Sequence, residues 1–219
     1  MRVRKYGHSC LMLDERGESL LFDPGRREFL DDRATPDAFA GVSLIVVTHW
    51  HPDHAAPELI GRIVRRSGAR VLAPPEGERE LRAAGVEPEQ PPDGKLAVGA
   101  FELEFSGATH APILGATVPR NIACLVNGRL LNTGDSFDAA LERYRGVEAL
   151  ALPITAPWLK ELDAAAFAEL LAPKRVLPVH DGYVKDWFRT RRYETYRQYL
   201  GKRSIGFEGE IGAETAVEL

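Results

Sequence analysis

Short stretches in which apolar residues concentrate lie at residues 3–6, 10–13 and 19–23, with a turn at Glu15-Arg16-Gly17-Glu18 and a stop at Asp23-Pro24-Gly25. This pattern predicts an antiparallel hairpin at the start of the fold. Residues 42–47 (VSLIVV) are β-branched and nearly all apolar, which predicts a strand covered on both faces. Leu59, Ile60, Ile63 and Val64 recur at helical spacing, with Pro57 suited to a first turn and Gly68 to an end, so a helix is expected over 57–66. Further on, the pattern predicts a strand at 71–73, a short helix at 78–84, a Pro-rich surface connection over 85–95 and a strand at 101–105. Asn127-Gly128 between 121–126 and 129–132 is a plain hairpin signal. A strand at 149–152, a helix at 163–171, a strand at 175–179 and an aromatic-basic helix at 183–200 complete the reading.

Strands come first and alternating β and α elements follow, which suggests an α/β protein with two sheets face to face and helices outside, an α/β/β/α arrangement. No internal repeat and no long linker interrupts the 219 residues, so one domain over 1–219 is expected. Apolar residues make up 44% and charged residues 27%, which excludes disordered and fibrous classes. No apolar run is long enough for a membrane span, and the amino terminus lacks the apolar core of a signal peptide. Cys10 and Cys124 each lie in an apolar strand-like run, so buried free thiols and a cytoplasmic location are expected. A net charge of -4 is the wrong sign for a surface that grips nucleic acid.

The 42–47 strand leads into Thr48-His49-Trp50-His51-Pro52-Asp53-His54, which puts four ligand-type side chains within six positions. His49 and His51, one residue apart, leave the same face of an extended chain, whereas Asp53 and His54 fall where the chain turns toward a helix. Divalent metals held by imidazole and carboxylate need three or four such groups. Beyond His8, the remaining histidines are His110 and His180, each directly after a predicted strand, and Asp135 also follows one.

The string His49-x-His51-x-Asp53-His54, followed by separate His110, Asp135 and His180, resembles the signature of the metallo-β-lactamase superfamily. The resemblance implies the four-layered αβ/βα sandwich of that family and a metal-dependent hydrolase. It also implies a division of ligands, with His49, His51 and His110 on one ion, Asp53, His54 and His180 on the other, and Asp135 bridging. Two divalent ions are thus expected, zinc first and manganese or iron compatible, with a bridging hydroxide as nucleophile and a residual formal charge of about +1 to stabilise an oxyanion.

Asp23 matches an aspartate that the family carries at the end of an early strand, where it would orient a ligand histidine; alternatively it makes the turn beside Pro24. Thr48 either supports the same loop or ends its strand. The opening Arg4-Lys5-Tyr6-Gly7-His8-Ser9-Cys10 and the Asp23-Pro24-Gly25 segment resemble the branch containing ascorbate-6-phosphate lactonase and the N-acylethanolamine phospholipase D enzymes.

The reaction expected from this resemblance is cleavage of a lactone or other ester bond of a small, anionic substrate, with a phosphodiesterase or nuclease, or a metal-binding protein without activity, as alternatives. His8 is a candidate proton donor or substrate contact, or else a hydrogen-bonded strand-end residue. Trp158, Arg120 and Tyr183 are candidate substrate contacts; packing for the tryptophan and a solvated charged face for the region after His180 are the competing readings. A small-molecule substrate is expected, without nucleic-acid or membrane partners, and homo-oligomers are compatible with the sequence.

Overall fold

Two sheets stack face to face in the computed structural model, which describes residues 1–115 and 117–219. The first sheet is built from β1 (Arg2–Lys5), β2 (Leu11–Glu15), β3 (Glu18–Phe22), β4 (Val42–Val46), β5 (Arg70–Leu72) and β13 (Val217–Glu218). Its spatial order is β13-β1-β2-β3-β4-β5. The second contains β6 (Gly94–Val98), β7 (Phe101–Gly107), β8 (Ile122–Val126), β9 (Leu130–Asn132), β10 (Ala149–Pro153), β11 (Arg175–Val179) and β12 (Gly206–Phe207), ordered β12-β11-β10-β9-β8-β7-β6. Hairpin-linked neighbours pair antiparallel, whereas β3–β4–β5 and β9–β10–β11–β12 pair parallel and are joined by crossovers.

The period-two geometry of a strand sorts side chains between layers. Leu20 and Phe22 point into the inter-sheet core with Leu44 and Val46, where they meet Phe101, Leu103, Phe105, Cys124, Ala151 and Leu177 of the second sheet. Leu21 and Ile45 point outward, against Ile60 and Ile63 of α1 (Pro57–Ser67) and Leu81 of α2 (Glu78–Ala83). On the far side, Leu131, Leu150 and Val176 pack under α3 (Glu161–Leu171) and α4 (Asp186–Gly201) through Phe167, Leu171, Tyr196 and Leu200. This is the four-layered αβ/βα sandwich that the resemblance implies. Pro57 occupies the first turn of α1, and Gly68 caps it in the left-handed region at φ 69°. Cys10 and Cys124 are both buried and unpaired, in different layers.

Several expectations need correction. Residues 94–98, the first two of which fall in the expected surface connection over 85–95, form β6, an edge strand in which Lys95 and Ala97 are exposed. The two-residue strands β12 and β13 are too short for any periodicity to register. The last helix starts at Asp186, so Tyr183 lies in the loop between β11 and α4. Among the described residues, no helix is long and apolar enough to cross a membrane.

Candidate metal centre

Every residue of the site sits at one end of the sandwich, in loops that leave strands. His8 follows β1, His49, His51, Asp53 and His54 follow β4, and His110, Asp135 and His180 follow β7, β9 and β11. The 48–54 segment is a tight turn instead of an extended continuation of β4. His51 N–H donates to the carbonyl of His49 (3.2 Å), and His54 N–H and Ala55 N–H return to the carbonyl of His51 (3.0 and 2.8 Å). That turn aims the four side chains at one region. Asp23, His8 and His180 hold left-handed backbone conformations (φ 46°, 44° and 61°), a strain of about 1–3 kcal/mol each that persists where surrounding contacts over-determine it.

Two groups of ligand-type atoms result, His49/His51/His110/Asp135 and His8/Asp53/His54/His180, with the atoms of each group within 4.8 Å of one another. Asp135 reaches both: its Oδ2 lies 3.7 Å from His49 Nε2, 3.6 Å from His110 Nε2 and 3.0 Å from His180 Nε2, and its Oδ1 lies 3.4 Å from His54 Nε2. Asp53 Oδ2 is 3.3 Å from His180 Nε2 and 3.8 Å from His54 Nε2. Ligand atoms about 2.0–2.1 Å from a tetrahedral zinc stand about 3.3 Å apart, so this spacing suits shared cations.

The hydrogen bonds fix which imidazole nitrogen is available. His110 Nδ1–H donates to the carbonyl of Ala111 and His180 Nδ1–H to that of Thr155, each at 2.6 Å. His54 Nδ1–H donates to Asp23 Oδ2 (3.0 Å). His49 Nδ1–H donates to Thr48 Oγ1 (3.1 Å), whose own hydroxyl donates to Asp23 Oδ2 (2.8 Å). In all four rings Nδ1 is committed, and the Nε2 atoms of His49, His54, His110 and His180 are buried without a hydrogen-bond partner, as is Asp135 Oδ1. Buried polar atoms are almost always satisfied. A convergent set of orphaned lone pairs, with two carboxylates between them, fits divalent cations and little else.

His8 differs from the other histidines. Its Nδ1 accepts from the Gly182 N–H (2.9 Å), and a backbone amide can only donate, so the ring proton sits on Nε2 and points at Asp53 Oδ2 (3.2 Å). A protonated Nε2 is no ligand. His8 is closed to solvent, which argues against direct substrate contact, and burial together with His180 lowers its pKa to about 4, keeping it neutral. The Tyr183 hydroxyl donates to the same Asp53 oxygen (2.9 Å). Burial and Asp53 push the Tyr183 phenol upward, so it remains a donor.

Electrostatics in the cluster point toward a cation. Burial alone would push His180 down, but Asp135 and Asp53 hold it up at about 9. Burial likewise opposes, yet Asp135 and Asp23 keep His54 well above the ordinary imidazole range. Asp135 is held well below the usual carboxylate range by His180, His54 and His49 despite burial. The same carboxylates that favour a proton on these rings would favour a metal cation in its place, and metal binding would displace the proton.

The remaining expected residues divide. Asp23 and Thr48 sit behind the ligands; Asp23 Oδ1 also accepts the Thr48 N–H (2.7 Å), so the carboxylate does more than make a turn. Trp158 lies beside the centre, its ring 6.0 Å from that of His110 and 5.7 Å from that of His180. Arg120 is not brought to the centre: its guanidinium faces Asp93 (3.7 Å) and its N–H donates to Glu76. Arg189, partly exposed, and Arg197, exposed, pair with Asp186 and Glu194, whereas Arg192 is largely buried, over the Phe188 ring and against Glu161. Asn121 and Thr155 are supporting residues that the sequence did not reveal. Asn121 Oδ1 accepts the Asp135 N–H (3.1 Å) while its amide donates to the carbonyls of Ala108 and Thr133. Only its place directly before the hairpin strand hinted at it. Thr155 acts through its carbonyl, which no side-chain pattern betrays.

Comparison with known proteins agrees with the fold. The family model described as "Beta-lactamase superfamily domain" matches residues 2–180. Protein Rv0786c of Mycobacterium tuberculosis is 32% identical over 196 residues, covering 84% of this chain and 85% of that protein. A UPF0173 metal-dependent hydrolase of Methylobacterium nodulans is 30% identical over 207 residues, covering 83% and 85%. Among solved structures, a metallo hydrolase of the archaeon Ignicoccus hospitalis shares the fold, with a TM-score of 0.71, 19% identity and coverage of 100% and 98%. With the family match extending from β1 to His180 and relatives aligned over most of their length, this chain belongs to the β-lactamase superfamily.

Proposed function

We propose that this chain is a dinuclear metal-dependent hydrolase that cleaves a lactone or other ester bond of a small molecule, within a single domain over residues 1–219. The observation that carries this reading is the set of four buried imidazoles whose Nδ1–H groups are committed and whose Nε2 lone pairs converge unpartnered around Asp135. Relatives named as metal-dependent hydrolases support it. His49, His51 and His110 would hold one ion, Asp53, His54 and His180 the other, and Asp135 both. Two such ions, zinc first, would supply Lewis acidity and activate water as the nucleophile at neutral pH.

The chain's own groups then have separable tasks. Asp23 and Thr48 set the tautomers of His54 and His49, one in each group of ligands. His8 and Tyr183 hold one oxygen of Asp53, which keeps that carboxylate oriented and anionic. Tyr183, half-exposed at the mouth, is the donor best placed to reach a bound ester as well. The motifs around His8 and Asp23 support the branch of ascorbate-6-phosphate lactonase and N-acylethanolamine phospholipase D, and the two unpaired thiols support a reducing, cytoplasmic setting.

Metal analysis of the purified protein by plasma mass spectrometry, run with His110→Ala and Asp135→Asn and followed by a panel of lactones, aryl esters and bis(p-nitrophenyl) phosphate, tests the reading. About two metals per chain, fewer in both variants, with ester turnover above phosphodiester turnover, is the expected result. Absence of bound metal after reconstitution would overturn it, and faster phosphodiester cleavage would replace the ester by a phosphodiester.

A further inference from the structure

A large cleft opens beside the metal centre, between the loop after His110 and the outer face of α3, with a volume of about 860 Å³. His110 lines its inner end and is also one of the converging imidazoles. From there a ladder of rings leads away. Trp158 stands 6.0 Å from His110, Phe137 5.7 Å from Trp158, and Phe167 5.3 Å from Phe137. Ala166 and Leu170 of α3 continue the apolar floor beyond Phe167. Phe137 and Trp158 are only partly buried, so their faces are open to whatever enters.

The polar groups on the rim do not describe an anion site. Asp138 already accepts from the N–H groups of Thr109 and Ala140. Lys160 is one ammonium among lining residues that also include two carboxylates, Asp138 and Asp163, and Arg120 is turned toward Asp93. A phosphorylated or multiply charged substrate arm would meet more carboxylates than cations here. Apolar clefts of about 300–1,000 Å³ with a few polar groups at one end are the usual form of a small-molecule site, and here that polar end is the metal centre.

We infer that the substrate carries an apolar acyl arm, aliphatic or phenyl-terminated, which lies along Trp158, Phe137 and Phe167 while its carboxyl carbon sits at the metal centre. The inference rests on the hydrolase reading and deepens it, replacing the anionic substrate expected from the sequence by an apolar one. Each methylene taken from water is worth about a three- to fourfold gain in affinity, and the gain ends where the cleft is filled.

The experiment is a calorimetric titration of the purified, metal-loaded protein with the sodium salts of acetate, butyrate, hexanoate, octanoate and decanoate, repeated on Ala166→Arg and Leu170→Glu. Ala166 is exposed on α3, so Ala166→Arg lays a long cation across the floor without disturbing the core, and Leu170→Glu is a second probe should that variant fold poorly. Affinity rising about threefold per methylene, with the decanoate-to-acetate ratio falling at least tenfold in either folded variant, is expected. A ratio near one, or a ratio untouched in both variants, overturns the apolar arm. The corresponding p-nitrophenyl esters are assayed in parallel. If none is turned over while the carboxylates still bind in graded fashion, the hydrolase reading fails and the binding cleft stands; turnover without any dependence on acyl length fails the cleft alone.

Discussion

Replacing Asp23 by Asn alters one atom of the site and should disable both metal positions. The carboxylate receives three donors, Thr48 N–H on Oδ1 at 2.7 Å and both the Thr48 hydroxyl and His54 Nδ1–H on Oδ2 at 2.8 and 3.0 Å. An asparagine has only one acceptor oxygen. If that oxygen takes the Oδ2 position, the new NH2 faces the Thr48 N–H at 2.7 Å, two donors in contact with a buried amide left unpaired, at about 1–3 kcal/mol. If it takes the Oδ1 position, the NH2 faces His54 Nδ1 and the Thr48 hydroxyl. His54 then accepts and moves its proton to Nε2, and the hydroxyl turns to donate to His49 Nδ1, which moves that proton to Nε2 as well. One ligand lone pair is lost from each group. Altered outer hydrogen bonds of metal-ligating histidines typically cost 10–100-fold in metal affinity, so a loss of about that size is expected for both ions. Zinc competition against a chromogenic chelator measures the affinities, and thermal unfolding of the metal-free protein separates them from loss of fold. A folded Asp23→Asn protein that binds two ions with wild-type affinity and is also as stable as wild type, or that weakens one ion only, would refute the tautomer chain through Thr48.

Three further outcomes follow from contacts already described. His8→Ala removes the N–H that orients Asp53 and should weaken the ion held with His54 and His180 about tenfold, leaving one tightly held metal per chain after chelator challenge; two retained metals would deny His8 that task. Gly25→Ala places a Cβ 2.1 Å from the carbonyl oxygen of Asp53, so the ligand turn must move, and a destabilisation of about 1–3 kcal/mol with loss of metal is expected by thermal unfolding and mass spectrometry. Lys5→Met breaks the buried pair of Lys5 Nζ with Asp181 (2.6 Å) and the Pro178 carbonyl (2.8 Å), leaving Asp181 with Tyr193 as its remaining side-chain partner. A cost of about 3–5 kcal/mol is expected, with part of it recovered in Lys5→Met/Asp181→Asn; a melting temperature within a degree of wild type would show that the pair carries no net stability.

The convergent His/Asp cluster was legible because metal chemistry demands a dense and unusual local string, and because each later member stands just after an apolar strand. The strands carrying Leu20, Phe22, Leu44 and Val46 were legible as buried because they are nearly continuous apolar runs, but which of their residues face the inter-sheet core and which, like Leu21 and Ile45, face α1 was not. What sequence could not reveal depends on contacts between distant segments. Nothing near Thr155 says that its carbonyl will orient His180, and nothing near His8 says that Gly182 will fix its tautomer. The Arg120 expectation failed because a loop cation pairs with whichever carboxylate the tertiary fold brings near, here Asp93. The edge strand β6 escaped because only three of its five residues are apolar and it begins inside the Pro-rich polar stretch, on Gly94 and Lys95.

The two groups of ligands are each shared between the sheets. His49, His51, His8, Asp53 and His54 belong to loops of the first, whereas His110, Asp135 and His180 belong to loops of the second. The first half of the chain, up to β5, thus presents most of its imidazoles on one turn without completing either coordination set. Only when β7, β9 and β11 dock does a full set exist, so metal loading would depend on assembly of both sheets. An ion bound in either position would then act as a rivet through the sandwich, resisting the sliding of one sheet over the other. Stripping the metal should accordingly loosen the interface between the halves before it disturbs either sheet, and hydrogen exchange at the 48–54, 108–111 and 132–136 segments would register that loosening first.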